Sequence, residues 1–276
     1  MEANSMLTVQ IEPREFARVC ELLYRTAGIN ITKGKEGLVM SRLGKRLRAL
    51  GLDSYQDYLA HIEDDASGAE FSMMVDVLTT NKTSFFREDE HFTHLREHVL
   101  PTLVAGGREI RIWSAACSSG EEPYTIAMVC TALLDKRDAV RVKILATDIS
   151  SRMLAKARAG SYSAEQVREV PAHQLQAHFT KTGLGAAAVY VVDDTIRSLV
   201  RFAKLNLMET WPMQGRFDIV FCRNVMIYFD PETQSRLVRR FHEILAPGGH
   251  LFVGHSESLT SRDHAFRNVR PAVYVK

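Results

Sequence analysis

The chain reads as an α/β protein: a Rossmann-like sheet domain carrying an inserted β-hairpin, preceded by a small all-α domain. Three observations predict this. From Glu109 to Leu245 short apolar runs alternate with amphipathic stretches, the pattern of a parallel or mixed sheet with helices on both faces. Before Asn81 the apolar residues recur only with a helical period. Between Gly183 and Asn206 two β-type runs flank Asp193-Asp194, a hairpin pattern. The expected boundaries are 1–87 for the helical domain with its linker, 88–276 for the sheet domain, and 180–203 for the insert.

At 276 residues the chain can bury a sizeable core in one or two domains. A net charge of +2 does not point to nucleic acid, and no run approaches the ~20 apolar residues of a membrane span. The start, MEANSMLTVQIEPREF, lacks the apolar core of a leader peptide. Cys20, Cys117, Cys130 and Cys222 are far apart and form no C-x-x-C, so free thiols in a reducing compartment are expected. The chain is expected to be cytoplasmic, without direct membrane insertion.

Helices are predicted over Glu12–Ala27, Gly37–Leu50, Ser54–His61 (with Ser54 as cap) and Glu70–Leu78. Charge is segregated among them. Residues 33–48 hold six basic residues and one acid, whereas 52–81 hold seven acids and no Lys or Arg. On a helical wheel Val39, Met40, Leu43, Leu47 and Leu50 share one face. Arg42, Lys45, Arg46 and Arg48 share the other, which is either a solvated face or a docking surface for an anionic partner.

A connecting helix, Glu88–Leu100, leads into strand Glu109–Trp113 and helix Glu121–Leu134. Strand Val142–Thr147 then precedes helix Ser150–Ala159, and strand Phe217–Cys222 precedes helix Pro231–Leu245. Strands His250–Val253 and Ala272–Val275 close the chain. The hairpin is expected to pair Val189–Val192 with Ile196–Phe202, as a decorative insertion or as an edge strand for a peptide.

The densest motif is IRIWSAACSSGEEPY, residues 110–124: strand, small-residue turn, helix. Such a turn opens a ligand crevice in a doubly wound sheet. It is no phosphate cradle, because Glu121 and Glu122 put two anions where a phosphate would sit. A phosphate-free cation suits it better, and S-adenosylmethionine (SAM), with its sulfonium and ammonium, makes a methyltransferase the first hypothesis. Asp148 ends the second strand, where a carboxylate can accept from ribose hydroxyls or cap the next helix. Asn206-Leu207 follows a short strand, where the amide can read adenine or close a turn. Arg223, Asn224 and Tyr228 follow a buried strand and are candidate crevice residues. The run Asn81-Lys82-Thr83-Ser84-Phe85-Phe86-Arg87 is either a loop closing on the ligand or a hinge packed by its aromatics. His91, His94 and His98 have helical spacing without a ligand pattern, so no metal is expected. His255-Ser256-Glu257 lacks a nucleophile elbow and reads as a loop after a strand.

Together TNKTSFFRE, WSAACSSGEEPYTIA, ATDIS, LNL, FCRNVMIYFD and GHSESL resemble the CheR family of chemotaxis receptor methyltransferases, in the family's order and over nearly the whole chain. The resemblance implies a SAM-dependent sheet domain and methyl transfer to glutamate side chains on the cytoplasmic helical bundle of chemoreceptors, leaving S-adenosylhomocysteine. It implies cofactor contacts at Asn81, Thr83, Arg87, Glu121, Asp148, Asn206, Leu207, Arg223 and Asn224. Arg87 and Tyr228 are expected to orient reacting or cofactor carboxylates. It further implies docking of the acidic receptor on Arg42, Lys45, Arg46 and Arg48, and in some members capture of a receptor C-terminal peptide on the β insert. The alternatives are a nucleic-acid methyltransferase, disfavoured by the near-neutral charge, and a non-catalytic SAM-binding adaptor, disfavoured by the complete polar set.

Overall fold

The apolar periodicity of the first third becomes four helices, α1 (Pro13–Ala27), α2 (Glu36–Leu50), α3 (Tyr55–Asp64) and α4 (Ala69–Leu78). This computed structural model describes residues 9–134, 141–259 and 264–276. Residues 1–8, on which the leader reading partly rests, lie outside them.

Local chemistry sets the helix ends. Glu12 and Glu15 form a reciprocal capping box around Pro13, with the Glu12 N–H donating to Glu15 Oε2 at 2.8 Å. Ser54 caps α3 as expected, its Oγ accepting from Asp57 N at 3.1 Å. Gly51, at φ +68°, ends α2 in a left-handed conformation that L side chains disfavour. Val19, Leu23, Val39, Leu43, Leu47, Tyr58 and Met74 are fully buried in this unit. It takes in Met1–Asn81 together with a short return of the chain at Tyr228–Asp230. Ile29 bridges Phe229 there, and Asn30 N donates to Tyr228 O at 2.8 Å.

The second unit spans Lys82–Ile227 and Pro231–Lys276, so residues 82–87 of the expected linker belong with the sheet. It begins with helix α5 (Glu90–His94), one π-helical turn (Leu95–Val99) and α6 (Leu100–Ala105). Strand β1 (Ile110–Ala115) leads to α7 (Glu121–Leu133), and β2 (Val142–Asp148) to α8 (Ser151–Ala159). Next come β3 (Ser161–Ser163), α9 (Ala172–His178), β4 (Phe179–Thr182), β5 (Val189–Val192), α10 (Asp194–Arg197) and β6 (Val200–Lys204). The chain continues through β7 (Phe217–Cys222), α11 (Pro231–Ile244), β8 (Leu245–Val253), β9 (Arg267–Arg270) and β10 (Val273–Val275).

Seven strands form one sheet in the order β6-β2-β1-β7-β8-β10-β9. The first five are parallel, and β10 and β9 add antiparallel at one edge. All six residues of β7 are buried, as a central parallel strand covered on both faces requires. From β1 the chain moves outward to β2, while β7 takes the other side of β1 and moves on to β8. The carboxyl ends of β1 and β7 therefore meet at a topological switch point, where doubly wound sheets open a crevice.

The insert differs from expectation. Val189–Val192 does not pair with the run that follows it. β5 is the middle strand of a separate three-stranded antiparallel sheet, β3-β5-β4, whose hairpin joins β4 to β5. After β5 comes α10, and β6 then lies parallel to β2 at the edge of the main sheet. Asp193 N bonds back to His178 O, and Asp193 O accepts from Ile196 N and Arg197 N, so these residues start a helix rather than turn a hairpin. The small sheet thus spans Ser161–Val192, earlier than the expected 180–203.

Candidate functional site

Five parallel strands end on one side of the main sheet, and each delivers one or more of the motif residues. After β1 come Ala116–Gly120 and Glu121; after β2, Asp148 is the last strand residue; after β6, Asn206; after β7, Arg223 and Asn224; after β8, Gly254–Glu257. The backbone is strained there. Phe86, Glu88, Ala116, Ser118 and Asn224 are five of the six non-glycine residues with positive φ among those described. Such conformations persist where surrounding contacts over-determine them, and they concentrate at functional sites.

The first turn is fixed from below. Ser118 N and Ser150 N both donate to the Asp148 carboxylate at 2.8 Å, which joins the ends of β1 and β2. The α8 cap is Ser150, whose Oγ accepts from Met153 N at 3.0 Å, so Asp148 braces the loop rather than capping the helix. Gly120 has φ +97°, and a Cβ on it would stand 2.9 Å from Ala157 Cβ and 3.0 Å from the Tyr162 hydroxyl. Glycine is needed at that position for both reasons.

Glu121 and Glu122 open α7 and point to different partners. Glu122 accepts from Ser114 Oγ at 2.7 Å and from Arg223 Nη1 at 3.1 Å. Glu121 is 2% exposed, accepts from Ser119 Oγ at 2.7 Å, and has a long 3.5 Å contact from the Gln166 amide. Burial raises the pKa of both carboxyls; Arg223 is the main offset at Glu122, the Ser119 hydroxyl at Glu121. Glu121 is thus a buried acid with hydroxyl and amide partners rather than an ion pair, a setting that costs free energy unless a cation joins it.

Arg223 sits between Glu122 and Glu88, with Nη2 at 3.0 Å from Glu88 Oε2. The same nitrogen donates to Arg87 O, and the guanidinium lies over the Phe92 ring at 5.4 Å. Its Nε is buried with no hydrogen-bond partner among the described residues, a donor available to a ligand. Asn224 Nδ2 donates to Glu88 Oε1 at 3.3 Å. Burial opposes ionisation of Glu88 most strongly of any one cause, but Arg223, Asn224 and His255 together hold the carboxyl below its ordinary value.

Several expected residues have partners within the chain. Tyr228 groups with the helical unit, where its hydroxyl accepts from Thr80 N at 3.0 Å and donates to Thr80 O at 3.1 Å. Asn81 also falls in that unit, with Nδ2 donating to Asp76 O at 3.4 Å. Thr83 and Arg87 fall in the sheet unit, and Arg87 Nη1 donates to Lys82 O at 2.9 Å. Asn206 Oδ1 accepts from Met208 N at 3.0 Å and its amide donates to Glu209 at 3.1 Å, closing the turn that carries Leu207. Phe85 is fully buried, edge-on to Tyr162 and Phe179, so it is sheet-domain core.

The basic face of α2 also divides. Arg46 forms a bidentate pair with the buried Glu70 at 2.7 and 2.6 Å, and Arg42 donates to Leu78 O at 2.8 Å. Both are half-buried inside the helical unit, while Lys45 and Arg48 are exposed. At about 100° per residue Arg46 falls beside Val39 and Leu50, with Arg42 at the edge of that packed face, so their long side chains reach partners on α4.

Sequence reasoning missed two residues. Glu88 braces both Arg223 and Asn224. Glu257, 2% exposed, accepts from Asn224 N at 2.6 Å, Gly254 N at 2.8 Å and Ile227 N at 3.1 Å. Gly254 leaves room for this, since a Cβ would stand 2.6 Å from Asn224 Nδ2 and 2.7 Å from Glu257 Oε2. The GHSESL motif was the available signal, and its glutamate sets the loop after β7.

A parallel sheet with buried carboxylates at its switch point and no phosphate cradle, matched by a SAM-binding family profile, defines a SAM-dependent methyltransferase. The profile described as "CheR methyltransferase, SAM binding domain" covers residues 81–275, and "CheR methyltransferase, all-alpha domain" covers 14–79. The chain belongs to the CheR methyltransferase family. It is 43% identical over 258 residues to the "Probable chemotaxis protein methyltransferase" of Rhizobium etli, covering 92% of this chain and 96% of that one. It is 43% identical over 262 residues to "Chemotaxis protein methyltransferase 2" of Pseudomonas aeruginosa, covering 94% and 92%. The "Chemotaxis protein methyltransferase" of Salmonella typhimurium is 41% identical over 261 residues, covering 94% and 88%.

Proposed function

We propose that this chain methylates glutamate side chains on the cytoplasmic helical bundle of chemoreceptors, giving glutamyl methyl esters. The observation that carries the reading is Glu121: a buried carboxylate without an ion-pair partner among the described residues, at the switch point of the sheet, suits a cationic ligand without phosphate. SAM supplies an electrophilic methyl group on a sulfonium. Glu121, Asp148, Asn206, Leu207, Arg223 and Asn224 are the sheet-unit residues that would hold it, with Thr83 and Arg87 from the segment before α5.

The acceptor carboxylate has an ordinary pKa of ~4.3 and is ionised at neutral pH, so no general base is asked of the chain. A carboxylate and a sulfonium lose their charges as they react, so a strongly polar site would favour the reactants. The protein's contribution is then alignment and partial removal of water, and alignment alone can reach ~7–11 kcal/mol. Arg87 and Arg223 are cations suited to orient carboxylates, and neither is a nucleophile. Tyr228 acts more remotely, by holding Thr80 ahead of the motif at residues 81–87. Lys45 and Arg48 are the exposed basic residues of α2 offered to an acidic receptor, and the β3-β5-β4 sheet is the surface offered to a receptor tail.

The test is transfer of labelled methyl from SAM to a receptor cytoplasmic fragment, followed by mild base. Label released as methanol supports the ester. Label that resists base, or no transfer from a chain that binds SAM, overturns the reading.

A further inference from the structure

Beside the proposed SAM site lies a second cluster, which shares Glu88 with it and adds two histidines that the methyl-transfer reading does not use. Glu88, His91 and His255 each offer one donor atom, and the three atoms lie within 4.8 Å of one another. We propose that these residues form a site for one divalent transition-metal ion of the zinc class.

Two imidazoles and a carboxylate are a donor set that zinc accepts, with a fourth position left to water. His91 supplies an independent observation. It is 2% exposed, and neither of its ring nitrogens has a hydrogen-bond partner among the described residues. Buried polar groups are ordinarily satisfied, so an orphaned imidazole aimed at a carboxylate asks for a ligand. Its Nδ1 stands 3.6 Å from Glu88 Oε2, and its ring meets the His255 ring edge-on at 4.9 Å between centroids. His255 is exposed, with Nε2 at 3.7 Å from Glu90 Oε2. A cavity of about 490 Å³ reaches Glu88 and His255 and is lined further by Asp89, Glu90, Thr93 and Arg270. Entry from solvent is therefore open, and three consecutive carboxylates (Glu88, Asp89, Glu90) face two arginines (Arg223, Arg270), which leaves a charge balance that favours a cation.

The cluster has one competitor. Arg223 Nη2 lies 3.0 Å from the same Glu88 Oε2 that faces His91. An ion at this site draws on the carboxylate that braces Arg223, so the ion and SAM bind antagonistically. That consequence rests on the cofactor role proposed for Arg223; the ion site itself does not.

The experiment uses the full chain, first freed of metal with a chelator. Cobalt(II) is titrated and followed by its visible ligand-field bands, and zinc is titrated by calorimetry. One equivalent is expected to bind, at least tenfold more weakly in His255→Ala and unchanged in His98→Ala, an exposed histidine on the π-helical turn after α5. Equal binding by all three proteins, or no saturable binding, overturns the site. SAM affinity is then measured with and without one equivalent of zinc. A fall of several-fold supports the antagonism, and no change in the zinc-loaded chain overturns it. Absence of SAM binding to the metal-free chain counts against the methyl-transfer reading and leaves the ion site standing.

Discussion

Arg223 in the sheet unit and Arg46 in the helical unit look alike in the sequence, yet their settings differ. Arg223 has a side chain 2% exposed and answers two carboxylates, Glu88 and Glu122, from different elements. Arg46 is 23% exposed and answers one, Glu70, in a bidentate pair. The first network is buried and shared among several strand ends, so loss of one member leaves charges stranded away from water. The second pairs a half-buried guanidinium with the buried Glu70, which also accepts from the Tyr58 hydroxyl at 2.9 Å and so keeps one partner if Arg46 is lost. A charge that organises a site and a charge that holds two helices together are thus told apart by burial and partner number.

The sharpest way to break this contrast is Arg223→Met. It strands Glu88 and Glu122, and a loss of about 3–5 kcal/mol in urea denaturation is expected, with SAM binding abolished. A loss under ~1 kcal/mol would place Arg223 in the same class as a surface pair. Glu257→Ala comes next. It removes the acceptor for Asn224 N, Gly254 N and Ile227 N, and should cost about 1–3 kcal/mol while weakening SAM at least tenfold by calorimetry. Unaltered SAM affinity in a folded Glu257→Ala protein would remove Asn224 from the cofactor set.

Glu121→Gln sharpens the comparison through pH. Burial raises the Glu121 pKa in the folded chain, so the native state holds its proton more tightly than the unfolded one. Its contribution to stability is full below the ordinary carboxyl value near 4.3 and is lost as pH rises through the raised folded value. The apo Glu121→Gln chain should lose less stability over that window than the wild type, yet bind SAM more weakly; parallel stability curves would count against the buried-acid argument. The smallest effect belongs to the exposed positions on α2. Lys45→Glu with Arg48→Glu should change stability by no more than ~0.5 kcal/mol and lower receptor methylation at low salt, with SAM affinity intact. Arg46→Glu is a poorer probe of docking, because it sets a carboxylate against Glu70 and loosens α2 from α4.

Much of the architecture was legible in the residues. Strand–helix alternation marked the α/β unit, Ser54 marked the start of α3, and the small-residue turn marked the start of α7 at Glu121. The insert was misread because Val200–Lys204 has the same β character whether it pairs with its neighbour in sequence or with β2. Strand propensity reports a pleated, half-buried surface and carries no partner. Candidate positions were legible, but the hydrogen-bond network among them was not. Asn206 binds its own turn, Tyr228 binds Thr80, and Glu88 and Glu257 hold Arg223 and Asn224.

From the residues alone came the two kinds of unit, the strand ends that hold the candidate residues, and the expectation of a cation rather than a phosphate. Those follow from periodicity and from residue chemistry read over a few neighbouring positions. Only the tertiary structure decided which carboxylate answers which arginine, which basic residues of α2 remain exposed, and that Glu88, His91 and His255 converge. Such pairings join residues up to 167 positions apart (His255 minus Glu88), and the energy of a charge depends on burial and partners that no local pattern encodes.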